Sequence, residues 1–345
     1  MKNTVVIGQL HFKKNDMIGA VVKTRNIYYG LVEKYGDSII SYVDIWGGKK
    51  RTAAVLIEVF RAFSKCENVI LVNSAIKGPF IFYLRLLSKI FKRNVVYIPI
   101  GVRIGGRIAS DLKAKKRLSF CSAFLPESEQ NCKVLKDLGF PEVHLFRNFK
   151  SVKELGCSYK SLHNNMTVIS FCTFSRVTKE KGITDAVLAI SRAQELVSNK
   201  RFELHIYGGI DPEYKEEFES LLNDYSFVKY EGSVNAEDAV LTLQKHDVLL
   251  FPTRYPDEGI PGTIIDAFAA GIPIISSKWL YFNDIFEDHK TALGYDFLNV
   301  DSLVDTIIYA TKNIDELINI GRNGQKEYGM YDSSEVLPVL EKQLA

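Results

Sequence analysis

The sequence predicts two doubly wound α/β domains, each on a parallel sheet. Short apolar strands alternate with helix-period stretches along its whole length, which implies right-handed crossovers between parallel strands. At 345 residues the chain is long for a single core, so two domains are expected. The rhythm breaks once, between Asn148 and Asn165, where Gly, Ser, Asn and Lys accumulate. Residues 151–165 are therefore read as the linker between a domain of residues 1–150 and one of residues 166–345, the last helix packing back on the first domain.

In order, the first half offers strands at Thr4–Gly8, Ile39–Val43, Val69–Val72, Val95–Pro99, Ala123–Leu125 and Val143–Phe146. Helical periodicity falls between them near residues 19–35, 52–64, 78–92 and 127–138. The second half repeats the pattern, with strands at Met166–Cys172, Phe202–Tyr207, Val228–Glu231, Val248–Pro252 and Pro273–Ser276. Its helices lie near 183–198, 212–223, 236–245 and 263–270, and at least two more follow position 300. Paired domains of this kind hold a ligand in the crevice at the carboxyl ends of their strands. Neither half carries G-x-G-x-x-G after its first strand, and Gly101-Val-Arg-Ile-Gly-Gly106 has the wrong spacing, which disfavours a nicotinamide dehydrogenase.

Composition excludes other classes. No apolar run is long enough to span a bilayer, and MKNTVVIGQL at the start reads as a strand, so secretion is not expected. Five scattered cysteines without a C-x-x-C pair fit a reducing cytoplasm, and neither they nor the six histidines show metal-ligand spacing. The net charge of +3 conceals an asymmetry: residues 1–150 carry 26 Lys+Arg against 11 Asp+Glu, a balance of +15, which leaves −12 for the remainder. A basic half suits an anionic surface; no nucleic-acid-binding motif accompanies it.

The stretch Phe251 to Ile275, FPTRYPDEGIPGTIIDAFAAGIPII, carries the chemistry. A buried strand runs into a loop rich in Pro, Gly and acids, and a helix starts at Gly262-Thr263 and stops at Gly271. Free N–H groups at that helix start form an anion site. Glu258 and Asp266 bracket it, and phosphate donors beside hydroxyl-binding carboxylates suggest a sugar nucleotide. After the first strand of the second half, Phe174-Ser-Arg-Val-Thr-Lys-Glu-Lys-Gly182 places Arg176 and Lys181 where two cations can neutralise a diphosphate without a metal; the alternative is a solvated basic loop. Tyr207-Gly208-Gly209 and Glu231-Gly232-Ser233 end the next two strands. In the first half, Asp16-Met-Ile-Gly19-Ala20 precedes a helix, and Gly19 lets backbone approach a donor phosphate or sugar. His11 in the same loop, and Arg103 with Arg107 near Gly101, are candidates for touching the acceptor.

These residues resemble retaining glycosyltransferases of the GT-B fold, family 4. Glu258 and Asp266 fall on the two acids of the E-x7-E region, with Asp in place of the second Glu. The stretch Ser175 to Gly182 is similar to a G-R-L-x-x-x-K-G element, Ser175 standing where Gly is usual. The resemblance implies that Arg176 and Lys181 bind the donor diphosphate, and that Gly259, Ile260, Pro261, Gly262 and Thr263 hold the donor on the glycine-rich turn. Tyr207, Gly208 and Glu231 would line the base and ribose side, and Asp266 would grip the ribose. The implied reaction moves a sugar from a nucleotide diphosphate, a UDP-sugar being favoured, to an acceptor hydroxyl with retention, without cofactor or metal. Closure of the two domains would expel water. The phrase PDEGIPGTIIDAFAAGIPII and Arg147-Asn148-Phe149 resemble bacterial enzymes that build capsule, exopolysaccharide or O-antigen units on a lipid carrier such as undecaprenyl diphosphate. A catalytically silent GT-B binding partner and a GT-B nucleotide-sugar epimerase are the alternatives.

Pro79 to Arg93 is apolar and aromatic with a basic end. It reads either as a buried crossover helix or as a helix lying in a membrane interface, with Lys89, Lys92, Arg93 and the Lys113–Arg117 cluster on anionic headgroups. The expected location is the cytoplasm, peripheral on the inner face of the membrane.

Overall fold

Runs of aliphatic and β-branched residues form the central strands, as parallel sheets covered on both faces require. The computed structural model describes residues 1–12, 19–46, 51–111, 113–152 and 162–344. Asp16, Cys157 and most of the expected linker lie outside the described residues. The chain divides into one unit of Met1–Ser151 with Tyr331–Ala345, and a second of Val152–Met330.

In the first unit β1 (Thr4–Gly8), β2 (Ile40–Asp44), β3 (Asn68–Asn73), β4 (Asn94–Pro99) and β5 (Ala123–Phe124) are all parallel, in the order β2-β1-β3-β4-β5. Side-chain alternation divides their residues between two cores. Val5, Ile7, Val69, Leu71, Val95 and Tyr97 pack on α2 (Thr52–Lys65) and α3 (Pro79–Phe91). Val6, Ile70, Val72, Val96 and Ile98 face α1 (Gly19–Tyr35) and the C-terminal helix α13 (Ser333–Glu341). Gly30 allows the closeness of those two helices: a Cβ there would lie 2.6 Å from Leu337 Cδ1. Pro79 opens α3 at the first turn, where its missing N–H costs no bond. Three short helices, α4 (Ile104–Ala109), α5 (Ala114–Leu118) and α6 (Glu129–Asp137), complete the unit; Ser128 caps α6 by accepting from the Asn131 N–H.

The second unit has six parallel strands: β6 (Val168–Phe174), β7 (Arg201–Tyr207), β8 (Val228–Gly232), β9 (Val248–Phe251), β10 (Ile274–Ser277) and β11 (Leu293–Tyr295). Their order is β11-β10-β9-β6-β7-β8. On one face α7 (Ile183–Leu196), α8 (Lys215–Asp224), α11 (Val300–Lys312) and α12 (Ile314–Glu327) build the core around Phe171, Phe202 and Leu250. α10 (Gly262–Ala270) packs against α9 (Ala239–Leu243) and α12, and every residue from Ile264 to Ala270 is buried.

The predicted strand at Val143–Phe146 is instead a single parallel bridge from Val143 to Phe124. Its partner strand β5 ends at Phe124; Pro126, two residues on, accepts from the Phe146 N–H at 2.8 Å but has no N–H of its own to extend the ladder. The strand β11 and helices α4 and α5, absent from the expectation, are three to six residues long, too short to show a period.

Candidate active site

In the second unit β6 and β9 are neighbours although they are the first and fourth strands of that unit. Sheet order reverses between them, so the chains leaving their carboxyl ends diverge and open a notch. The notch is edged by the loop after Phe174, the loop after Phe251 and the start of α10. The Thr263 hydroxyl pins the helix start to the end of β6 by donating to the Phe174 carbonyl at 2.6 Å.

Two predicted residues meet here. The Lys181 ammonium donates to Glu258 Oε2 at 2.5 Å, and the Thr253 hydroxyl donates to the same oxygen at 3.2 Å. Both side chains are mostly shielded, at 17% and 14% exposure. The Glu258 main chain is held as well, its carbonyl accepting from the Trp279 indole N–H at 3.0 Å. Gly182 makes the approach of the two loops feasible: it has φ +69, and a Cβ there would lie 1.8 Å from the Pro252 carbonyl oxygen. The Arg254 N–H donates to the Glu180 carbonyl at 2.8 Å, and its guanidinium bonds both oxygens of Asp185 at 2.8 Å. The loop with Lys181 is thereby tied to the loop with Glu258 at both ends.

Arg176 is exposed on the β6 side, and its guanidinium makes no hydrogen bond or ion pair among the described residues. Ser175 holds that turn by donating its hydroxyl to the Arg176 carbonyl at 3.1 Å. Gly208 (φ +134) lies against it, where a Cβ would fall 1.8 Å from the Ser175 carbonyl oxygen. α10 starts at Gly262 after Pro261, which supplies no side-chain cap, and a Cβ on Gly262 would meet nothing within 4 Å. Its first N–H groups, together with Arg176 and Lys181, give the notch a cationic character that suits a diphosphate. Gly259, Ile260 and Pro261 form the turn before the helix; Asp266, one turn inside, is 5% exposed.

Tyr207 and Glu231 lie on strand ends as expected, yet their polar atoms are engaged within the sheet face. The Tyr207 hydroxyl bonds His246 Nε2 at 2.9 Å, and Ser170 Oγ bonds His246 Nδ1 at 2.8 Å. The His205 ring lies 4.6 Å from that of His246, tilted by 43°, and bonds Glu231 Oε1 at 2.7 Å. Burial, with His205 alongside, lowers the His246 pKa to about 4, and burial raises that of Tyr207 to about 12. The sequence reading missed this network. Period-two spacing of Glu203, His205 and Tyr207 on β7 was the available signal.

In the first unit Gly19 opens α1 in open space. His11 is buried with φ +50, its carbonyl accepting from Arg25 at 2.7 Å and its ring 4.8 Å from Trp46. Arg103 is exposed at the start of α4.

Residues 160–327 match the sequence model of the family described as glycosyl transferases group 1. No curated protein matches the sequence. Among solved structures, the chain superposes on Anabaena Alr3699/HepE in complex with UDP and glucose, with TM-score 0.71 and 14% identity, covering 99% of this chain and 98% of that one. Sucrose-phosphate synthase from Thermosynechococcus elongatus gives TM-score 0.71 at 14% identity, with 99% and 98% covered. The lipopolysaccharide outer core galactosyltransferase WaaB, in its apo form, gives 0.68 at 15%, with 99% of each chain covered. The fold is that of GT-B glycosyltransferases, two parallel-sheet Rossmann-like domains.

Proposed function

We propose that this protein is a retaining glycosyltransferase that moves a hexosyl group from a nucleotide diphosphate to a hydroxyl of a lipid-linked glycan. The observation that carries the reading is the convergence of Arg176, Lys181, Glu258 and the uncapped start of α10 at the switch point of the second unit. A UDP-sugar is the favoured donor, as the UDP named with HepE supports. In the reaction the anomeric C–O bond to the diphosphate breaks, its electron pair goes to the phosphate oxygen, and the acceptor oxygen bonds the anomeric carbon. The acceptor proton passes to the departing diphosphate. Arg176, Lys181 and the N–H groups of Gly262 and Thr263 are set where that negative charge grows, with no metal required.

Glu258 plays a double part in this scheme. It fixes the Lys181 ammonium, and it accepts from sugar hydroxyls while favouring the cationic character of the transition state. Asp266 holds the ribose, assisted by Gly208, Tyr207 and Glu231. Gly19 serves the donor from the first unit; His11 and Arg103 serve the acceptor. Surface-polysaccharide assembly, capsule or O-antigen, at the inner face of the membrane is the setting that matches a lipid-linked acceptor.

A thermal-shift series with UDP-, GDP- and dTDP-sugars tests the proposal. A ligand at a hundred times its Kd stabilises by about 2.7 kcal/mol, so one nucleotide class should raise the Tm by several degrees. No shift with any of them contradicts it.

A further inference from the structure

Helices α2 and α3 lie side by side: the Tyr83 hydroxyl donates to the Leu56 carbonyl at 2.9 Å, and the Phe60 and Phe91 rings are 5.5 Å apart. Their inner faces bury Val55, Val59 and Phe63, and Ile81, Leu84 and Leu87. The outer face of such a pair is expected to be polar. Instead Phe82, Leu86 and Ile90, four residues apart on α3, are 69%, 46% and 60% exposed. Ile57 and Phe60 on α2 add 53% and 49%. The α3 row alone is about 12 Å long. A contiguous exposed apolar ridge of this kind marks a surface that meets something other than water.

The charges around the ridge identify what it meets. Residues 51–118 contain 14 Lys+Arg and 3 Asp+Glu. Two of those acids are already answered, Glu58 by Arg51 and Asp111 by Arg117. Lys65, Lys89 and Lys92 stand exposed at the ends of the two helices; Lys113, Lys115 and Lys116 stand exposed on and beside α5, which packs on α3. Lysine is depleted where proteins meet proteins, whereas its long stem suits an apolar boundary with the ammonium at headgroup level. Two residues expected among the headgroup contacts are otherwise engaged. Arg93 donates to the Phe63 and Ser64 carbonyls at 2.8 and 3.1 Å, and Arg117 pairs with Asp111 and donates to the Ile76 carbonyl. Among the described residues no helix is long and apolar enough to cross a membrane.

We infer that the α2–α3 face seats the protein on an anionic lipid surface. Ile57, Phe60, Phe82, Leu86 and Ile90 enter the acyl boundary, and the lysines meet the headgroups. The inference deepens the proposed action on a lipid-linked acceptor but involves no candidate active-site residue, so the two readings fail separately.

Flotation of the full chain tests it, without sugar nucleotide, on vesicles of phosphatidylcholine and on equimolar phosphatidylglycerol–phosphatidylcholine. The chain should float only with phosphatidylglycerol. Phe82→Ser with Ile90→Ser, and separately Lys89→Glu with Lys92→Glu, should each cut the bound fraction about tenfold, the apolar and charged contributions both being needed. These positions are exposed, and an unchanged melting curve confirms folding. UDP binding, measured without vesicles, should be unaffected in both variants. Absence of flotation, or equal flotation by the variants, overturns the inference. So does a dimer in light scattering that Phe82→Ser with Ile90→Ser dissolves, since the ridge would then be an interface between copies.

Discussion

Lys181 and Glu258 form an ion pair at 2.5 Å, so the cation proposed to meet the donor diphosphate is held by the carboxylate proposed to meet the donor sugar. The pairing predicts opposite effects on nucleotide affinity. Lys181→Ala should weaken UDP binding and lower turnover on the order of a hundredfold, the usual loss for one donor aimed at a developing anion. Glu258→Gln should lower turnover comparably yet leave UDP binding as tight or tighter, because the ammonium is released toward the phosphates. Calorimetry and steady-state kinetics on the two variants check this; weaker UDP binding in Glu258→Gln would count against the assignment.

Arg254 and Asp185 act at one remove. Their ion pair, in which Arg254 Nη1 meets both Asp185 oxygens, ties the loop carrying Lys181 to the loop carrying Glu258, together with the Arg254 N–H on the Glu180 carbonyl. Arg254→Gln should reduce kcat/KM about tenfold or more, as misplaced catalytic groups do. Arg254→Lys should recover most of that loss, since one nitrogen meets both Asp185 oxygens and an ammonium can do the same. Equal activity of all three proteins would show that the clasp plays no part.

Glycines at the notch differ in what surrounds them. Ala at Gly182 or Gly208 would drive a Cβ to 1.8 Å from a carbonyl oxygen at a positive φ, so each should destabilise the fold by about 3 kcal/mol or more. Ala at Gly262 meets nothing, so melting should change little while UDP binding weakens. Thermal melts of the three variants, with UDP titrations on Gly262→Ala, separate the roles.

His246 has a folded pKa of about 4, below its ordinary 6.5, because burial and His205 disfavour its charge. Between those values the unfolded chain binds a proton that the folded chain refuses. Its contribution to stability is therefore present above pH 6.5 and is lost as pH falls toward 4, to the extent of a few kcal/mol. Urea midpoints at pH 7 and pH 5 should move further apart for the natural protein than for His246→Asn. Equal separation would remove His246 from the acid response.

The sheets were legible in the sequence because their strands are uninterrupted apolar runs, as in TVVIG and NVILVN, bounded by polar turns. The notch was legible because Arg176, Lys181, Glu258 and Gly262 sit on loops that immediately follow such runs. β11 is only three residues long and left no pattern. The Lys181–Glu258 and Arg254–Asp185 pairs join residues 77 and 69 positions apart, a distance no local spacing encodes. The exposed ridge was half visible: α3 reads as apolar and aromatic with a basic end, but only the fold shows which of its residues face outward and that α2 contributes Ile57 and Phe60.

Isothermal titration of UDP into the protein in the presence of a chelator, repeated with an Arg176→Ala, Lys181→Ala double variant, bears most directly on the central claim. The account predicts one site on the natural protein and no measurable binding by the variant, with melting unchanged. Equal affinity in both, or no UDP binding by the natural protein alongside normal binding of a different nucleotide at another site, would contradict it.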